Sequence, residues 1–139
     1  MRKKRVHEID RARLSAILLT TDQQKKFDEG CALFNEGKYW ESHEMWEDVW
    51  RERSEEGRIF FQGIIQAAAA YHLLFVRPRL SGARRNFAKA LTILDLFPAR
   101  YLGVDVASLR RSVQETAESL VDGTITHLDR PRPKIIRMG

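Results

Sequence analysis

The chain has 139 residues, 43% of them apolar, which is enough for one domain around one core, and a single cysteine, Cys31. One cysteine excludes an internal disulfide and a zinc-ribbon type of site, and it fits a reducing compartment, so the expectation is a cytoplasmic protein. The formal net charge of +5 belongs to the ends, since residues 1–13 carry six basic and two acidic groups and residues 129–139 four and one, whereas 14–128 sum to −2.

Residues 1–20 read as a basic N-terminal arm or short helix, in which Leu14, Ile17 and Leu18 can dock on the body. The only apolar run there, Ala16 to Leu19, is too short for a signal core or a membrane span. Thr21 with Gln24 has the spacing of a capping box, and the helix that follows places Phe27, Cys31 and Phe34 on one face before Gly37. A second helix is predicted over Tyr39 to Ser54. It holds all three tryptophans, with Met45, Trp46, Val49 and Trp50 on an apolar arc and Glu41, Glu44 and Asp48 on an acidic one. His43 and Glu47, one turn apart, sit on the seam between these arcs, beside Trp46 and Trp50 in this reading.

From Ile59 to Phe75 no charge appears, and apolar or small residues surround the helical wheel, so this should be the buried central helix. It is short for a membrane span and carries Gln62, Gln66 and His72, which makes it a core element and leaves no membrane segment. Pro78 ends it. Ser81 should open a fourth helix with Ala83, Phe87, Ala90, Leu91 and Leu94 inward, up to Pro98. Asp105 is the expected N-cap of a fifth helix, with Leu109, Val113, Ala117 and Leu120 at helical spacing and Gly123 after it. No stretch has period-two alternation. The predicted fold is all-α: a single-domain bundle of about five helices over residues 21–123, followed by a basic, proline-containing tail at 124–139, extended or disordered.

The body is polar in charge as well. Residues 22–56 hold eleven acidic and five basic groups, while 57–94 hold six basic groups and no acidic one. The simplest expectation is that these blocks face each other, with Arg84 or Arg85 near a carboxylate of the first two helices. A nucleic-acid surface is the weaker reading, because no exposed aromatics interleave the basic set.

His43 and Glu47 can reach one divalent metal ion (Zn, Mn or Fe) from consecutive turns, with Glu44, His72, Gln66 or water completing the set. The run His43-Glu44-Met45-Trp46-Glu47 lacks the second histidine of the zinc-protease signature, which excludes that chemistry. The plainer reading is a buried pair, Glu47 accepting from His43, packed on Trp46 and Trp50 and closed by Gln62 or Gln66. In that case the domain is a non-catalytic interaction module, with a homo-oligomer or a protein partner. His72 falls on the face of Phe61, Ile65 and Ala68, where histidines are more often core residues than ligands. Cys31 has no basic neighbour in sequence to activate it.

The order Phe34-Asn35, Gly37, Tyr39-Trp40-Glu41, His43-Glu44, Glu47 and Trp50, then Phe60-Phe61-Gln62-Gly63-Ile64-Ile65-Gln66, Ala68-Ala69 and Gly82-Ala83, resembles the bacterial and archaeal domain-of-unknown-function 309 (DUF309) family. The resemblance covers about residues 25–95. His43, Glu47 and Trp50 match that family's His-x-x-x-Glu-x-x-Trp/Tyr hallmark. It implies a small all-helical domain and a metal-binding role for the hallmark, with no reaction attached. The basic N-terminal arm is not a feature that the resemblance carries.

Overall fold

The computed structural model describes residues 17–122 and 131–138. Five α-helices follow one another: α1 (Thr21–Asn35), α2 (Tyr39–Arg51), α3 (Ile59–Tyr71), α4 (Leu80–Leu94) and α5 (Val106–Asp122). A 3-10 turn (Glu56–Arg58) leads into α3, and a π-helical turn (His72–Val76) leaves it. Each helix packs mainly on its sequence neighbour: α1 on α2, α2 on α3, α3 on α4 and α4 on α5. The chain is therefore an all-α bundle.

α3 is the central element, as its lack of charge requires. Ten of its thirteen residues are buried, leaving only Gln62, Gln66 and Ala69 partly open. The continuous helical run Glu56–Val76 is long and apolar enough to cross a membrane, yet most of it lies inside the protein. Close approach of α4 depends on Gly63, because a Cβ there would lie 2.8 Å from Ile93 Cγ2. Aromatic edges fill the rest of the contact, with Tyr71 and Phe87 at 4.9 Å and near right angles.

The helix ends follow capping chemistry. The box at α1 forms one residue earlier than expected: the Thr20 hydroxyl accepts from Gln23 N, and Gln23 Oε1 accepts from Thr20 N, both at 3.1 Å. Asp105 caps α5 as expected, accepting from Ser108 N at 2.9 Å. Of the N-terminal arm, Ile17 is buried and Leu18 is exposed, while Leu14 lies outside the described residues. The expected stop at Gly123 also lies outside them.

Two features depart from the expectation of helices alone. Arg100–Tyr101 and Val104–Asp105 (β1 and β2) form a small antiparallel hairpin, too short for any alternation to register. Its turn needs positive φ at Leu102 (49°) and Gly103 (72°). The second feature is the tail, expected to be extended or disordered, whose residues 131–138 run as a strap without helix along the body. Asn35 donates to Ile135 O at 3.0 Å and accepts from Ile135 N at 2.6 Å. Met138 N donates to Gly103 O, and Arg137 pairs with Asp28 at 2.9 Å while covering the Phe27 ring. Ile135 is buried by these contacts. Arg132 lies over Phe75, 4.6 Å from the ring centre.

The two charge blocks do not neutralise each other as expected. Arg84 donates to Leu120 O on α5 at 2.8 Å, and Arg85 is exposed. The reason is the packing order: α3, which is apolar, stands between α4 and the acidic helices. The acidic block pairs within itself instead, through Lys26 with Asp22 and Glu52, and Arg51 with Glu47 and Asp48.

Candidate functional site

The seam between α2 and α3 is fixed at both ends by aromatic contacts. At one end the Trp40 indole lies 5.3 Å from the His72 ring; at the other the Arg58 guanidinium sits 4.7 Å over Trp50. Arg58 also donates to Trp50 O at 3.3 Å and to Arg53 O at 2.6 Å, which anchors the turn between the helices. Between these clamps α2 contributes His43 and Glu47, and α3 contributes Gln62, Gln66 and Ala69. The spacing of three and four residues puts each set on one stripe, and all are half-buried. The hallmark residues thus share one flank of α2, and both glutamines share one stripe of α3, the helix packed against it.

His43 has the most unusual surroundings. Its ring stacks on Trp40, with centroids 4.7 Å apart and planes 28° apart, and its side chain is 15% exposed. Nδ1 is buried and has no hydrogen-bond partner among the described residues. Nε2 faces Glu47 Oε1 at 3.7 Å, beyond hydrogen-bond range. Glu47 turns its other oxygen to Arg51 Nη2 at 3.3 Å. The expected closed pair is therefore not formed, and neither Gln62 nor Gln66 completes it by a hydrogen bond among the described residues. An amide on this stripe reaches water, so nothing compels it to seek the imidazole.

His72 stands at the rim of the Phe61, Ile65 and Ala68 face, under Trp40, and not within the core. Burial holds its pKa below the ordinary value of 6.5. Arg77 and His43 push the same way, while Glu41 opposes them. It is also the first residue of the π-helical turn, a distortion that recurs at functional positions. No Gly or Pro within His72–Val76 announces that turn in the sequence.

The remaining expected residues separate from the seam. Trp46 is fully buried on the other side of α2, where its Nε1 donates to Phe27 O at 3.3 Å and its ring packs on Gly30. Glu44 is exposed, and among the described residues no three His, Cys, Asp or Glu side chains converge. Sequence reasoning missed Trp40, which touches both histidines; its i, i+3 spacing to His43 was the available signal. Cys31 is buried, which pushes its thiol up to about 12 even though Arg137 opposes the shift, so it is no nucleophile.

No curated protein matches the chain. A family model does: Domain of unknown function (DUF309), over residues 27–86, which runs from the middle of α1 into α4 and takes in His43, Glu47, Trp50, Gln62 and Gln66. The facing helices α2 and α3 lie wholly within the matched stretch, whereas α5 and the C-terminal strap lie beyond it. Over that stretch, from Phe27 in α1 to Asn86 in α4, the chain is similar to the DUF309 family.

Proposed function

We propose that the α2–α3 seam binds a divalent metal ion (zinc, manganese or iron) or a small polar ligand between His43 and Glu47. What carries the reading is an imidazole that is mostly buried yet hydrogen-bonded at neither ring nitrogen among the described residues. A purely structural histidine in that position would be satisfied, because leaving a buried polar group unpaired costs about 1–3 kcal/mol. The gap of 3.7 Å between Nε2 and Oε1 is too long for a hydrogen bond. It is close to the separation of about 3.4 Å that two donors adopt on one ion with bonds of about 2.0–2.1 Å at a tetrahedral angle.

His43 and Glu47 would hold the ion, and His72, on the other contact of Trp40, would be a further donor to recruit. Two firm donors leave coordination positions to water or substrate, which fits an exchangeable ion better than a structural one. A bound divalent ion supplies charge stabilisation and Lewis acidity to whatever occupies the seam. The protein's own part is to keep the two donors facing each other, through the Trp40 stack on His43 and the Arg51 pair on Glu47. The test is titration of zinc, manganese and ferrous iron into wild type, His43→Ala and Glu47→Ala. It is read by indole fluorescence, since Trp40 stacks on the proposed ligand; a signal equal in all three proteins refutes the site.

One observation favours a second reading. Trp40 is 48% exposed at one end of the seam, as suits contact with another protein. On that reading the domain is a non-catalytic interaction module. Wild type would then form an oligomer in light scattering that Trp40→Ala dissolves.

A further inference from the structure

The outer side of α4 and the connection before it carry exposed cations with no described counter-charge. Arg77, Arg79, Arg85 and Lys89 are all exposed and form no ion pair with any described carboxylate. The sequence from 57 to 94 contains no acidic residue that could reach them locally, and α3 stands between α4 and the acidic helices, although Arg77 acts on His72 together with Glu41 of α2. The amino end of α4 has no side-chain cap and no acid in its first turn, so its partial positive charge adds to the same edge.

We propose that this edge binds the phosphate backbone of a duplex nucleic acid without reading its sequence. A group of exposed cations close in sequence, with no counter-charge, fits a polyanion, and duplex DNA carries one charge per about 1.7 Å of axis. No exposed aromatic lies within Arg77 to Lys89, so base stacking of the kind that single strands demand has no platform on this segment and binding is confined to phosphates. A membrane surface is the poorer fit. The apolar face of α4 (Ala83, Phe87, Ala90, Ile93, Leu94) is committed to the core, leaving only Val76 and Leu80 to meet lipid.

The experiment uses the full chain, a labelled DNA duplex of arbitrary sequence and a KCl series, read by fluorescence anisotropy. The comparison is with the quadruple variant Arg77→Ala/Arg79→Ala/Arg85→Ala/Lys89→Ala. These side chains form no hydrogen bond or ion pair with a described residue, so helicity, and Tm measured above about pH 7 where His72 is neutral, should match wild type. The expected result is binding that weakens with salt. The log–log slope should be shallower by about 3 to 4 in the variant, at about 0.9 for each phosphate that is no longer neutralised. His43→Ala should bind the duplex as wild type does, which separates this edge from the seam. An unchanged slope in the variant overturns the proposal by assigning the binding to the basic termini. So does binding to phosphatidylserine vesicles without binding to the duplex, or no duplex binding at low salt.

Discussion

Trp46 occupies the space where a side chain at Gly30 would begin: a Cβ on Gly30 would lie 2.4 Å from Trp46 Nε1 and 2.6 Å from Cδ1. The indole cannot retreat, because its N–H is held by Phe27 O and its ring packs on Phe34. In Gly30→Ala, alanine's helix preference of up to about 1 kcal/mol works against overpacking of about 1–3 kcal/mol. We predict a net loss, seen as a lower urea midpoint at unchanged slope. A midpoint equal to or above wild type would show that the α1–α2 packing is looser than described.

The strap is held at Asn35 by hydrogen bonds in both directions to Ile135. Asn35→Ala removes both partners from the part-buried backbone of Ile135 and should cost about 1 kcal/mol or more. Amide exchange should accelerate at Ile135 and Met138 while α3 stays protected. Uniform acceleration across α3 would mean that the strap and bundle unfold as one unit.

His72 should make stability depend on pH. Its folded pKa lies below the ordinary value, with burial the main cause and Arg77 next. The unfolded chain therefore takes up the proton first as pH falls. The stabilisation is fully present above about pH 6.5 and is lost as pH drops from there toward the lower folded pKa. His72→Gln should flatten the fall in Tm between about pH 7 and 5. A slope identical to wild type would assign the effect to other groups.

Most of the architecture was legible because it rests on local patterns: a charge-free α3, amphipathic α1, α2 and α5, and proline and Asp105 at helix boundaries. The hallmark spacing of His43, Glu47 and Trp50 put these three side chains along one flank of α2, where helix geometry alone must bring them. What could not be read depends on packing direction. Trp46 and Trp50 belong to one apolar arc on a wheel, yet α1 claims the first and the seam keeps the second. The cross-block ion pairs expected of Arg84 and Arg85 required knowing that α3 stands between the blocks. The strap and the π-helical turn depend on long-range pairing and backbone geometry that no short-range pattern encodes, such as Asn35 meeting Ile135.

The central claim is that His43 and Glu47 are kept for a ligand and not for the fold, and thermal melts with and without metal test it most directly. His43 has no hydrogen bond to lose among the described residues and Glu47 is 32% exposed, so His43→Ala and Glu47→Ala should each cost less than about 1 kcal/mol without metal. Zn²⁺ or Mn²⁺ at about a hundred times Kd should stabilise wild type by about 2.7 kcal/mol. For a chain of this size that is roughly 10 °C in Tm, and both variants should abolish it. Strong losses in the single variants, recovery in His43→Leu/Glu47→Leu, and no response of wild type to either metal would contradict the account.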